Sequence, residues 1–479
     1  MILSEHLPQD IPTGAEPYFD VRDPATEETV AHVHDSAAEE WDAALAAAVE
    51  AQAAWAKVSP RERAVILTDM YRALVERTED LARTITLEMG KPLAEARGEV
   101  AYGAEYFRWF AEEAVRLPGR FSPSPSGAGD ILVTRTPVGP VLAITPWNFP
   151  LAMATRKIAP ALAAGCPILV KPASETPLTM LLAGKIITDV LAEAAAPEAL
   201  VSILPTTDDA GLSSRLMADE RLRKITFTGS TAVGKLLVRQ SADNLLRSSM
   251  ELGGNAPFLI NADADLDRVL TCAMQAKMRN GGEACVAANR FLVHEHVAEE
   301  FTRRLVESMA ALRPGHGLEE DSTLGPVITA KQRDRIAELV DDALAAGATA
   351  LTGGGSDAVA EGPGHFYPAT VLTDVPADAR ILHAEIFGPV ATVVTFADLD
   401  EGIALANDTE YGLAAYGFSD NIDTCRRLAT ELTAGMVGIN RGMISDAAAP
   451  FGGVKQSGFG REGGTEGIEE YLDTRYVAL

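Results

Sequence analysis

Four short runs of aliphatic and β-branched residues, Val141–Ile144, Ile168–Val170, Val201–Leu204 and Ile225–Phe227, recur along the chain, each followed by a loop and a helix-patterned stretch. Strands separated by helices in this way need crossover connections, and covering both faces of the resulting sheet gives a doubly wound parallel α/β fold. A second alternating series opens near Pro257 with Phe258–Ile260 and runs to about Asn440, which predicts a second α/β lobe. Ahead of both, an alanine-rich stretch from about residue 39 to 116 places Ala64, Leu67, Tyr71 and Leu74 at three- and four-residue spacing, the pattern of scaffold helices. Two lobes also suit a chain of 479 residues, too long for one ordinary core, and the site is expected between them.

Charge excludes several classes of partner. The formal net charge of −27 repels phosphate backbones and anionic lipid surfaces, so neither nucleic acid nor membrane is expected. No run approaches the eighteen or so apolar residues of a membrane span, and Met1–His6 lacks a basic stretch ahead of an apolar one, which together read as cytoplasmic. Cys166, Cys272, Cys285 and Cys425 are far apart with no Cys-x-x-Cys, and the eight histidines do not cluster, so no disulfide framework and no metal site are expected.

Two glycine patterns mislead. Gly229-Ser-Thr-Ala-Val-Gly234-Lys235 follows a predicted strand and resembles a phosphate loop, but Leu236 stands where a magnesium-holding Ser or Thr is required. Gly458-x-Gly460-x-x-Gly463 matches a dinucleotide fingerprint yet lacks a following βαβ unit. A more informative set is spread along the chain. Cys285 follows Gly281-Gly282, which disfavour a regular helix and leave room for a ligand beside a nucleophilic thiol. Glu251 ends an apolar run and enters a glycine turn, where a carboxylate can project into a cleft as a proton acceptor. Asn148 follows the first strand of the series, at the edge where such sheets bind ligands, and its amide can donate to an oxyanion. Each also has a structural alternative: an inert thiol, a solvated strand-end acid, a loop amide.

Seven segments, in order, decide between these readings: Thr145-Pro-Trp-Asn-Phe-Pro150, Lys171-Pro-Ala-Ser174, Phe227-Thr-Gly-Ser230, Glu251-Leu-Gly-Gly254, the stretch around Cys285, Glu385-Ile-Phe-Gly-Pro389 and Pro450-Phe-Gly-Gly453. In these the chain resembles the aldehyde dehydrogenase superfamily over nearly its whole length, and within it the succinate-semialdehyde dehydrogenases. The resemblance implies Cys285 as nucleophile, Glu251 as base, and Asn148 with the Cys285 backbone N–H as oxyanion donors. It implies an NAD(P) site with Lys171 at the adenosine ribose, Gly229 and Ser230 by the pyrophosphate and Glu385 at the nicotinamide ribose, further lined by Pro146, Trp147, Ser174, Leu252 and Phe387. Arg156, Arg279 and Ser445 match positions that bind a substrate carboxylate, with Phe451 beside them, which points to succinate semialdehyde, or alternatively glutarate semialdehyde or another aldehyde. For each arginine the alternative is a structural salt bridge.

The implied architecture is a dinucleotide-binding domain of residues 1–118 and 138–252, a catalytic domain of 253–443, and a bridging arm of 119–137 and 461–479. Tyr471–Leu479 alternates polar and apolar residues and would leave an open strand edge in a monomer, so a homodimer or homotetramer is expected. Ser174 offers a neutral hydroxyl where NAD-selective relatives often carry an acid, so NADP is expected to be preferred, with dual use as the alternative. Three departures stand out. Glu283 replaces the usual Gln two residues before the nucleophile and is positioned to raise the thiol pKa. Thr206–Ala210 matches the adenine region poorly. Ala287 removes the partner of a regulatory disulfide. Two rivals remain: a catalytically silent protein of the same fold, and a CoA-acylating enzyme, against which Glu251 argues.

Overall fold

The computed structural model describes residues 7–12 and 16–479; the Met1–His6 segment used above lies outside the described residues. The chain opens on an antiparallel hairpin, β1 (Tyr18–Arg22) and β2 (Thr29–His34), which the sequence reading misses. Its first strand buries only Val21, so no clean alternation marks it. Four helices follow: α1 (Ala38–Trp55), α2 (Pro60–Glu76), α3 (Thr78–Met89) and α4 (Leu93–Ala114). Local chemistry sets their ends. Ser59 and Glu62 form a capping box around Pro60, and Gly90 ends α3 in the left-handed conformation that a side chain resists.

The first sheet has the order β17-β9-β8-β5-β6-β7, built from β5 (Val141–Ile144), β6 (Ile168–Lys171), β7 (Val201–Ile203), β8 (Lys224–Thr228), β9 (Arg247–Glu251) and the short β17 (Gly458–Phe459). All its pairings are parallel except β17 with β9. Its crossovers include α5 (Ala152–Ala164), α6 (Leu178–Glu193), α7 (Asp209–Ala218) and α8 (Thr231–Ser241). Strands β6 and β8 are buried at every position, which explains why they read as continuous apolar runs rather than alternating ones.

The second sheet has the order β12-β13-β14-β11-β10-β15-β16. It comprises β10 (Ala256–Ile260), β11 (Ala288–His294), β12 (Thr349–Thr352), β13 (Thr370–Thr373), β14 (Val390–Phe396), β15 (Ala414–Phe418) and β16 (Met436–Ile439), with only β12 antiparallel to its neighbour. A separate three-stranded antiparallel sheet joins β3 (Arg120–Pro123), β4 (Asp130–Pro137) and the C-terminal β18 (Leu472–Ala478), with β18 at one edge. Among the described residues no helix is long and apolar enough to cross a membrane.

The misleading Gly458-x-Gly460-x-x-Gly463 segment lies at β17 and in the turns after it. All three glycines have positive φ, and at Gly458 a Cβ would come within 1.9 Å of the Met250 carbonyl oxygen. Here the glycines let a returning loop lie against β9 just before Glu251.

Candidate active site

The C-terminal ends of β5, β8 and β9 meet the loop after helix α9 (Leu266–Met278) in one cleft of about 180 Å³. Pro146, Trp147, Asn148, Gly229, Ser230, Glu251, Leu252, Cys285, Glu385 and Phe387, drawn from five of the seven segments, all line it. Lys171 and Ser174 lie outside it, at and after the end of β6. Sequence reasoning does not find Met153, Thr228, Gln332 and Arg335, which also line the cleft. Gln332 and Arg335 are three apart on one helix, a spacing that marks a shared face without saying what it faces.

Cys285 is brought there by a broken helix. After α9 a tight turn at Arg279–Gly282 carries Asn280 and Gly281 at positive φ, which reverses the chain before the thiol. Gly254 allows the close approach, because a Cβ there would lie 2.4 Å from the Cys285 carbonyl oxygen. The thiol is half-buried, and its pKa is pushed up to about 12, chiefly by burial. Arg156 and Arg279 pull it down, while Glu385 and Glu251 push it further up. Glu283 is not among the main influences on the thiol; it is buried, and its Oε1 accepts from the Ile328 N–H at 3.3 Å.

Glu251 is buried, and neither carboxyl oxygen has a hydrogen-bond partner. Burial first, and then the nearby Glu462 carboxylate, hold its pKa well above the ordinary range, against the pull of Arg156, Lys157 and Arg461. Glu462 is itself buried and ion-paired to both Arg156 and Lys157. A buried carboxyl with both oxygens unmatched is a group built to meet water or ligand.

Asn148 is fixed from several sides. Its Nδ2 donates to the Glu283 carbonyl at 2.9 Å, leaving the second N–H of that amide for another acceptor. Its own carbonyl accepts from Lys91 Nζ at 2.7 Å and Asn280 Nδ2 at 3.0 Å. Lys91 in turn pairs with Glu99 at 2.6 Å, and Glu99 Oε1 accepts the N–H groups of Leu151 and Ala152 at the start of α5.

Several groups in and beside the cleft suit a dinucleotide. Ser230 caps the eleven-residue helix α8, whose N-terminus offers N–H groups and a positive dipole end to a phosphate. Glu385 accepts from the Gly254 N–H at 3.1 Å, and burial raises its pKa to about 7. Phe387 sits at φ 57 with its carbonyl held by Gln332 Nε2 at 2.7 Å and its ring edge-on to Trp147 at 5.3 Å, a strained residue fixed by its surroundings. Lys171 is ion-paired to Asp209, and the Ser174 hydroxyl donates to Glu175 at 3.4 Å.

The residues matched to a substrate carboxylate form two pairs, each holding an arginine that biases Cys285. Arg279 Nη1 donates to Ser445 Oγ at 3.4 Å and lies over the Phe149 ring. Arg156 lies 4.3 Å over the Phe451 ring and pairs with Glu462, so the salt-bridge alternative is present. Even so, none of its guanidinium nitrogens has an aligned hydrogen-bond acceptor.

This fold and cleft define a dinucleotide-dependent enzyme with a buried thiol, and residues 12–477 match the aldehyde dehydrogenase family model. The chain belongs to the aldehyde dehydrogenase family, and it is an NAD(P)-dependent aldehyde dehydrogenase. It is 55% identical to a succinate-semialdehyde dehydrogenase of Paenarthrobacter nicotinovorans, over 91% of this chain and 96% of that one. It is 42% identical to the NADP(+) succinate-semialdehyde dehydrogenase of Escherichia coli K12, over 96% and 94%. The solved succinate-semialdehyde dehydrogenase of Burkholderia pseudomallei superimposes with a TM-score of 0.93 at 44% identity, covering 97% of this chain and 95% of that one.

Proposed function

We propose that this enzyme oxidises an aldehyde bearing a carboxylate, with succinate semialdehyde first, through a thioester on Cys285, and that it accepts NADP in preference to NAD. The observation that carries the substrate reading is the pair of arginines beside Cys285: Arg156 is already ion-paired to Glu462, whereas Arg279, whose charge also reaches the thiol, donates to the neutral Ser445 hydroxyl and Met443 sulfur and is suited to an added carboxylate. Arg279 and Ser445 supply the second side of that pocket, with Phe451 beneath Arg156.

The chain's own groups then account for the chemistry. Cys285, once deprotonated, attacks the aldehyde carbon, and the free N–H of Asn148 with the Cys285 backbone N–H holds the oxygen as it becomes negative. When bound, the nicotinamide accepts the hydride that leaves the former aldehyde carbon. Glu251 takes a proton from water, the resulting hydroxide adds to the thioester, and the carbon–sulfur bond breaks to free the carboxylate and Cys285. Gly229 and Ser230 would hold the pyrophosphate, Glu385 the nicotinamide ribose and Lys171 the adenosine ribose, with Ser174 leaving room for a 2′-phosphate. The E. coli relative's naming as NADP(+)-dependent supports that cofactor reading. Residues 119–137 and 461–479 make the bridging arm of a homodimer or homotetramer.

The test is steady-state kinetics on an aldehyde panel with NAD and NADP side by side. The highest kcat/KM is expected for succinate semialdehyde, then glutarate semialdehyde, and Arg279→Ala should raise KM for both by roughly tenfold or more, because charged hydrogen bonds contribute about 1.5–3 kcal/mol. Equal losses on a neutral aldehyde, or a wild-type preference for uncharged aldehydes, would remove the carboxylate pocket.

A further inference from the structure

We infer that Asp209 sets how strongly this enzyme favours a 2′-phosphorylated dinucleotide, by holding Lys171 in an ion pair that the phosphate has to displace. The inference rests on the cofactor reading above, in which the dinucleotide lies across the C-terminal ends of β8, β5 and β6.

In the sheet order β8-β5-β6, Lys171 ends a strand two places from the one that leads into Ser230 and α8. At a spacing of about 4.8 Å per strand, that is roughly 10 Å from the helix N-terminus suited to a pyrophosphate, the reach of an adenosine ribose. Lys171 is therefore the cation at the ribose end, and it is buried to 3% exposure. Its ammonium pairs with Asp209, whose side chain is 65% exposed.

The carboxylate is held in place from the backbone. Asp209 is the first residue of α7, whose N-cap Asp208 accepts the Gly211 N–H at 2.8 Å. The preceding loop is tied down by Asp35, which accepts from Thr206 Oγ1 at 2.9 Å, the Thr207 N–H at 2.9 Å and Thr207 Oγ1 at 2.5 Å. Glu175, exposed, accepts from its neighbour Ser174 at 3.4 Å. A ribose hydroxyl can donate to Asp209 and leave the ion pair standing. A 2′-phosphate cannot: it competes with Asp209 for one ammonium and meets a carboxylate of its own sign. Asp209 can release Lys171 because the dipole of α7 still favours a negative charge at that first turn. Ser174 thus makes room for the phosphate, and Asp209 determines what its entry costs.

Calorimetric titration of the full-length enzyme with adenosine 2′,5′-bisphosphate and with ADP reads the ribose end without turnover. Asp209→Asn should tighten the bisphosphate by about tenfold and leave ADP within about twofold, and Asp209→Ser gives a second exposed-site variant should the first be unstable. In a Lys171→Met background the gain from Asp209→Asn should vanish. An unchanged bisphosphate affinity, an equal shift for ADP, or a gain that survives Lys171→Met overturns the inference. If neither nucleotide binds wild type or variant, the cofactor reading falls and takes the inference with it.

Discussion

At Cys285 the resting chemistry is set by burial more than by charge. With the thiol pushed up to about 12, Cys285 is protonated near neutrality, and burial with the Glu462 carboxylate shifts Glu251 upward as well. In the proposed mechanism the nucleophile is the thiolate and the base is the carboxylate, so both would become active as pH rises. Iodoacetamide labelling of Cys285, followed by peptide mass spectrometry, should accelerate by roughly tenfold per pH unit from pH 6 to 9, following thiolate fraction. A rate that levels off below pH 7.5 would mean that the arginines outweigh burial. Substitution separates the two roles: Cys285→Ala should abolish oxidation while keeping nucleotide affinity, and Glu251→Gln should accumulate an acyl adduct visible as a mass increase on the intact protein. Full turnover by Cys285→Ala, or no adduct with Glu251→Gln, contradicts the assignment. Cys285, Glu251 and Asn148 were legible because each follows a glycine pair, ends a strand or lies in the loop just after one, positions with a local signature. Glu462 and Lys157, which load the same site, were not: they are 305 residues apart in sequence, and no local pattern announces that a buried acid and a buried lysine will meet.

Helix α5 shows how an element fixes a site from outside it. Its first N–H groups lack intrahelical partners and are taken up by Glu99 from α4, whose other oxygen neutralises Lys91, and Lys91 holds the Asn148 carbonyl. Removing the acid leaves a buried ammonium unpaired and the helix end uncapped together. Glu99→Ala should therefore lower unfolding stability by about 3–5 kcal/mol in urea titration and reduce kcat more than nucleotide affinity, because the oxyanion donor loses its support. A loss below about 1 kcal/mol would show that Lys91 finds another partner. Strands β5, β6, β7, β8 and β10 could be read from the chain because buried parallel strands are short runs rich in aliphatic and β-branched residues flanked by turn residues, whereas the other strands of the second sheet were read only as a continuing alternation. Strands β1 and β17 could not: one is half-exposed, and the other is two residues of a glycine loop whose pairing with β9 is visible only in three dimensions.

Across the whole molecule the three-stranded sheet stands apart from both cores, and its composition argues for a partner of the same kind. Among the described residues β18 pairs on one side with β4 and has no strand on the other, and the sheet exposes Tyr476 of β18 on one face and Phe121 of β3 on the other, at 63% and 64%. An open, partly apolar edge is an aggregation hazard unless it is covered, and a two-fold repeat of the same edge covers it most economically. The charge balance is compatible with this. The −27 total acts over distances that salt screens within about 8–10 Å, whereas the arm supplies its own cations in Arg120, Arg135 and Arg475. Light scattering coupled to size exclusion should give a mass of two or four chains for the wild type. Tyr476→Pro, which removes a backbone donor from the edge and cannot extend a sheet, should shift it toward one chain of 50.7 kDa. The first sheet and the cleft do not depend on that edge, so nucleotide binding should survive in the dissociated protein. A wild type that elutes as a monomer at micromolar concentration, or a variant of unchanged mass, would place the assembly contact elsewhere or remove it.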